Sequence, residues 1–93
     1  MGKYLVEIDP NARKELKAHY KSGNKANIKK IEKILVELTE KPFEGVGHPE
    51  ELKHEYAGFW SRRINIKDRM IYKVEEKIVT VYVVSAMGHY TDK

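Results

Sequence analysis

With 93 residues and 41% hydrophobic side chains, the chain holds apolar material for one modest core, and a single domain over residues 1–93 is expected. The absence of cysteine excludes a disulfide framework and thiolate chemistry, and fits a reducing cytoplasm. The formal charge of +4 is unevenly placed, with nine Lys/Arg against four Glu in residues 11–41 and eight of each sign in residues 42–93, so the first segment is a general attractor of polyanions such as nucleic acid or the ribosome.

The opening stretch Met1–Glu7 has no long apolar run, so neither a secretory leader nor a membrane span is expected. Residues 3–8 alternate, with Tyr4, Val6 and Ile8 on one side, and predict a strand. Asp9-Pro10 is an N-cap followed by proline at the first helical position. Ala12, Leu16 and Tyr20 recur at helical spacing and predict a helix of about three turns, which Gly23 ends. Asn24 caps a second helix, in which Ile28, Ile31, Leu35 and Leu38 form one apolar stripe. Lys25, Lys29, Lys30 and Lys33 lie off that stripe. Two antiparallel basic helices result, and a solvated lysine-rich face explains them as well as an RNA-binding one does.

Pro42, Gly45, Gly47 and Pro49 mark an irregular loop, and a short strand is expected around Leu52–Glu55. Residues 59–66 alternate, Asn65 to Asp68 supply a turn, and residues 69–75 resume the alternation with Met70, Tyr72 and Val74. The apolar run 78–84 predicts a central strand buried on both faces. The order of elements is that of an α+β fold: an N-terminal strand, two helices, then an antiparallel meander with the helices on one face. The other face is left as an open cleft suited to an extended RNA strand.

The second half carries the chemistry. Glu50, the run Phe59-Trp60-Ser61-Arg62-Arg63, Arg69 and His89-Tyr90 supply a carboxylate, guanidinium groups, an imidazole and a phenol. RNA can be cut with its own 2′-OH as nucleophile. A base then removes the 2′ proton, an acid protonates the departing 5′ oxygen, and cations stabilise the charge on phosphorus. A carboxylate, a protonated histidine and arginine suit those three roles. Arg62 and Arg63 point to opposite faces of one strand, so one of them faces a given cleft and the other becomes a surface charge or an ion-pair partner. Trp60 and Phe59 read as core. His48 and His54 lack metal-ligand spacing, no cysteine supports them, and no metal or other cofactor is expected. Taken singly, each of these residues also has an ordinary structural explanation.

The runs Lys41-Pro42-Phe43-Glu44-Gly45-Val46-Gly47-His48-Pro49-Glu50-Glu51-Leu52-Lys53-His54 and Gly58-Phe59-Trp60-Ser61-Arg62-Arg63-Ile64, followed by Arg69 with Tyr72 and by the terminal His89-Tyr90, resemble the YoeB/Txe family of RelE-superfamily toxins. The resemblance is close over residues 41–75 and at the end, and in the helices it is one of pattern. It implies a RelE-like fold and a ribosome-dependent, metal-independent mRNA endonuclease. It also implies a YefM-like antitoxin as partner, ribosome and mRNA as targets, a homodimer and a cytoplasmic location. The family's roles fall on Glu50 as general base, His89 as general acid, Arg69 as phosphate stabiliser and Tyr90 as substrate-orienting group, with Lys53 and Arg63 adding positive charge at the substrate. Gly88 ahead of His89 departs from the family's bulkier residues and is expected to loosen the end, and Thr91-Asp92-Lys93 extend past it. Two other classes remain open: a non-catalytic RNA- or ribosome-binding module, and a ParE-like toxin acting on a protein target.

Overall fold

A computed structural model describes residues 3–88. Strand β1 (Leu5–Ile8) is followed by helices α1 (Pro10–Ser22) and α2 (Lys25–Leu38), and then by strands β2 (Glu50–Glu51), β3 (Phe59–Arg63), β4 (Arg69–Glu75) and β5 (Thr80–Ser85). Single 3₁₀ turns at His54–Tyr56 and Glu76–Ile78 connect β2 to β3 and β4 to β5. The five strands form one sheet in the order β1-β5-β4-β3-β2. β2 to β5 are antiparallel neighbours, whereas β1 runs parallel to β5, with Val6 opposite Val81 and Ile8 opposite Val83. The sheet is therefore mixed, and the first and last strands of the chain lie side by side.

The helix boundaries follow from local chemistry. The Asp9 carboxylate accepts from the Ala12 N–H at 2.9 Å, and Pro10 occupies the first turn, where its missing N–H costs nothing. Gly23 closes α1 in the left-handed region at φ 74°. The Asn24 side chain accepts from the Asn27 N–H and starts α2. The buried face of α1 is Ala12, Leu16 and His19, whereas Tyr20 is 42% exposed and reaches Glu32. The apolar stripe thus steps from Leu16 to the third residue on, not the fourth, and brings a histidine inside. On α2 the fully buried positions are Ile31, Ile34 and Leu38, flanked by the partly buried Leu35.

These helical residues pack on one sheet face against Ile64, Met70, Tyr72, Val81 and Val83, with Tyr4, Val6, Ile8, Trp60 and Val74 at the margin. Three strand expectations change. β5 begins at Thr80, because Val79 takes a left-handed conformation (φ 48°) and Ile78 is exposed. β5 is also one-sided, with Val81 and Val83 fully buried and Tyr82 and Val84 only partly covered. The short strand pairs Glu50 and Glu51, not Leu52–Glu55; Leu52 is buried just beyond it and residues 54–56 turn.

The loop from Lys41 to Pro49 is folded around one side chain. Arg62 is fully buried and donates five hydrogen bonds, to the Tyr72 hydroxyl, the Glu37 carboxylate, and the carbonyls of Lys41, Glu44 and Val46. Tyr72 in turn donates to the Pro42 carbonyl at 2.6 Å, and Glu37 accepts from the Val46 N–H. Glycines make this closure possible. A Cβ on Gly45 would overlap the Glu37 carboxylate, and one on Gly47 (φ 82°) would press on the Arg63 backbone, whose N–H donates to the Gly47 carbonyl.

Burial works to raise the Glu37 pKa. The Val46 N–H, the Arg62 hydrogen bond and the charges of Arg62 and Lys33 outweigh it and hold the carboxyl below the usual glutamate range. A depressed folded-state pKa contributes stability that is complete above the ordinary glutamate value of about 4.3 and is lost as pH falls through the folded value. Between pH 7 and pH 3, Glu37→Gln should therefore lose less stability than the wild type in urea denaturation. Arg62→Met keeps the apolar stem but removes the guanidinium donors from the Glu37 carboxylate, the Tyr72 hydroxyl and three carbonyls, leaving Glu37 only the Val46 N–H. Breaking a buried pair from one side costs about 3–5 kcal/mol, and the urea midpoint should fall by that equivalent.

Candidate active site

Strand alternation sorts the residues of β3 and β4. Trp60, Met70, Tyr72 and Val74 turn toward the helices, so Phe59, Ser61, Arg63, Arg69, Ile71 and Lys73 point to the opposite face. Glu50 pairs with Ser61, and residues directly opposite in an antiparallel ladder share a face. The shift of β2 onto Glu50–Glu51 therefore puts Glu50 on the open face. Arg62 faces the helices and Arg63 is exposed on the opposite face.

Arg63 and Arg69 are directly opposite each other at the end of the β3–β4 ladder. Two cations in that relation repel. One anion is already present: the Glu50 carboxylate lies 3.5 Å from an Arg69 guanidinium nitrogen, with side-chain exposures of 54% and 25%. Three of the predicted site residues, Glu50, Arg63 and Arg69, thus converge. Lys53 is exposed at the start of the 3₁₀ turn after β2, on the same connection as Glu50. His89 and Tyr90 lie outside the described residues.

Next to this group are aromatic rings. Phe59 was expected in the core. It lies instead on the open face, partly exposed, with the Tyr56 ring against it edge-on at 6.2 Å and the Lys73 ammonium 5.9 Å above it. Trp60 does join the core margin and packs on Phe43 at 5.0 Å. His48 and His54 both have positive φ, in the loop and in the 3₁₀ turn. Among the described residues, no group of three or more His, Cys, Asp or Glu side chains is arranged to hold a metal ion.

The sequence reading missed the residues that anchor the segment after β5. Glu15 accepts from the N–H groups of Ala86 and Met87, the His19 imidazole donates to the Ala86 carbonyl, and Asp68 accepts from the Gly88 N–H. The Gly88 carbonyl accepts from the Arg69 N–H at 2.8 Å. Gly88 is therefore tied at both its backbone polar groups, not loose. Burial works to raise the Asp68 pKa, but the Gly88 N–H, the Asn65 side chain and the nearby His19 and Lys67 charges bring it below the usual range. The available signal was a histidine three residues after Leu16, on a face where a polar group needs a partner.

The YoeB-like toxins of bacterial type II toxin–antitoxin systems match residues 10–90 of the chain. Toxin YoeB of Escherichia coli O6:H1 is 38% identical over 72 residues, which cover 77% of this chain and 83% of that protein. The YoeB dimer from Staphylococcus aureus superposes with a TM-score of 0.78 at 30% identity, covering 95% of this chain and 99% of that one. The toxin of the heterotetrameric YoeB–YefM complex from the same organism gives 0.75 at 31% identity, covering 94% and 98%. With Pro42-Phe43-Glu44-Gly45 wrapped on Arg62 and Arg63 aligned with Arg69 beside Glu50, the chain belongs to the YoeB-like family and is the toxin type of a type II toxin–antitoxin system.

Proposed function

We propose that this toxin is a metal-independent endoribonuclease that cuts mRNA in the ribosomal A site. The observation that carries the reading is the alignment of Arg63 with Arg69 on an open sheet face, with the Glu50 carboxylate 3.5 Å from Arg69. Two repelling guanidinium groups held side by side form a site for a phosphodiester, and a carboxylate within reach of that phosphate can take the 2′ proton.

In the proposed reaction the RNA is held extended across β3 and β4. Glu50 removes the proton from the 2′-OH, and the 2′ oxygen attacks the adjacent phosphorus. Arg69 donates to the non-bridging oxygens as charge builds. The P–O5′ bond breaks, and His89 gives its proton to the leaving 5′ oxygen. The products are a 2′,3′-cyclic phosphate and a 5′-OH, with no water or metal consumed. Tyr90 orients the substrate. Lys53 and Arg63 add positive charge, and the exposed ring surface of Phe59 and Tyr56 suits a base on the flanking nucleotide.

The basic helices attract the ribosome, which supplies the mRNA in extended form. The Staphylococcus aureus relatives form a dimer and a complex with YefM, and from them we take a second copy of the chain and a YefM-like antitoxin as partners in the cytoplasm. The antitoxin segment that covers the cleft is acidic, because it must match Arg63 and Arg69.

Single-turnover cleavage at saturating ribosome tests the roles. Positioned proton transfer contributes about 10²–10⁴ in rate. His89→Gln and Glu50→Gln should each lose that much, with Glu50→Gln also losing the acidic limb of the pH profile. Arg69→Ala should lose at least as much. If His89→Gln and Arg69→Ala stay within about threefold of wild type, far below that typical effect, the assignment is wrong. New mRNA 5′ ends at codons held in the ribosome support the enzyme, whereas stalled translation with intact mRNA would make the chain a binder.

The mechanism also fixes the product ends. Cleavage should persist in EDTA at levels that leave ribosomes intact, and the 3′ fragment ends should carry a cyclic phosphate or 3′-phosphate. A 3′-OH with a 5′-phosphate would require an activated water and exclude 2′-OH attack.

A further inference from the structure

Strand β5 ends at Ser85, yet the three residues after it are held more tightly than the end of a strand requires. Ala86 is fully buried. Its N–H donates to Glu15 at 2.7 Å and its carbonyl accepts from His19 at 2.8 Å. The Met87 N–H shares the same Glu15 oxygen at 3.1 Å. Gly88 donates to Asp68 at 2.9 Å and accepts from the Arg69 N–H at 2.8 Å. Five hydrogen bonds thus reach three consecutive residues, from α1, from the β3–β4 turn and from the first residue of β4.

The donors and acceptors are themselves fixed. Glu15 and His19 are four residues apart and share one side of α1. His19 is 3% exposed, so its imidazole has no alternative partner in solvent. Asp68 is buried, and its second carboxylate oxygen accepts from the Asn65 side chain at 3.0 Å. Gly88 has φ 72°, a conformation that strains any side chain. The clasp ends at Arg69, the one residue that both bonds the Gly88 carbonyl and faces Glu50.

We propose that Glu15, His19 and Asp68 are positioning residues for cleavage: they hold residues 86–88 against the backbone of Arg69 and so fix the strand end that carries the phosphate-binding arginine. The inference rests on the endoribonuclease reading above. None of the three need touch RNA. Their effect is to hold Arg69 where it meets the phosphate, which belongs to the rate at saturation and not to ribosome affinity.

The test is single-turnover mRNA cleavage by the full chain across a range of ribosome concentrations. A displacement of a catalytic group by an ångström costs about a hundredfold, so Glu15→Ala and Asp68→Ala should lower the saturated rate by about ten- to a hundredfold. The half-saturating ribosome concentration should stay within about twofold of wild type, because no lysine or arginine of the basic helices is changed. Glu15→Gln retains an oxygen that accepts both N–H groups and should recover to within about threefold of wild type. A purely structural role would instead lower the folded fraction, read by thermal melting at the assay temperature, and the rate would follow that fraction. Alanine variants that cleave like wild type, a loss confined to half-saturation, or a loss that tracks the folded fraction would each overturn the clasp while the nuclease reading stands. An unmutated chain that leaves ribosome-held mRNA intact would overturn both.

Discussion

The buried guanidinium of Arg62 is the interaction on which the rest of the site depends. It sits between β3 and the loop that leads to β2, and it meets Glu37 on α2, three loop carbonyls and the hydroxyl of Tyr72 on β4. A guanidinium has five N–H donors in a fixed fork, and here every bond it makes also places a piece of backbone. The carbonyls of Lys41, Glu44 and Val46 are turned inward, and the loop arrives at β2 in one register. Glu50 then falls opposite Ser61. Without that register Glu50 would change face, because a slip of one residue reverses the side of every strand residue. The carboxylate is therefore aimed by an arginine it does not touch.

Arg62 and Arg63 divide the work of one dipeptide. The first turns inward and is neutralised by Glu37 and the loop. The second turns outward and has Arg69 as its direct neighbour. Like charges opposite each other on a strand pair cost stability, and that cost sits at the end of the ladder, where the strands splay into the Asn65–Asp68 turn. The turn is itself braced by its side chains: Asn65 accepts from the N–H groups of Lys67 and Asp68 and donates to the Asp68 carboxylate. The chain thus holds two repelling cations together with a rigid turn on one side and a single carboxylate on the other. An arrangement of that kind favours a bound anion, since the anion removes the repulsion that the fold maintains.

What could be read from the sequence was what local chemistry decides. Asp9, Pro10, Gly23 and Asn24 act within three or four residues of themselves, so both helix starts and the break between the helices were legible. The same holds for the Asn65–Asp68 turn and for β4, where Met70, Tyr72 and Val74 alternate cleanly. Strand alternation put Arg62 and Arg63 on opposite faces, and only the family resemblance chose Arg63 for the substrate side. Non-local pairing decided the rest. Tyr20 and His19 both fit a helical stripe, and only Ala86, 67 residues away from His19, selects the histidine. The run 78–84 looked buried on both faces because its composition is apolar, but the helices cover a single face. β1 and β5 gave no sign in sequence that they would lie parallel. Alternation allowed one of Arg62 and Arg63 to be an ion-pair partner, but the role of Arg62 as an anchor was not legible, because its partners come from three separate places in the chain: α2, the loop after it and β4.

These long separations also set when the site can exist. Glu15 meets Ala86 across 71 residues, and β1 pairs with β5 from opposite ends of the described chain. Such contacts must meet a loop-closure entropy cost that grows with the separation. β5 is the inner strand that joins β1 to β4, and the sheet is incomplete until it docks. Only then do Glu15 and His19 on α1 find residues 86–88, and only then does Gly88 reach the Arg69 N–H. The Arg62 anchor and the two aligned arginines draw on α2, the loop after it, β3 and β4, whereas the clasp draws on α1, the Asn65–Asp68 turn and the residues after β5. Anion binding and the fixed placement of the segment ahead of His89 are thus separable properties of the fold, built from different contacts. The second depends on the whole chain being in place.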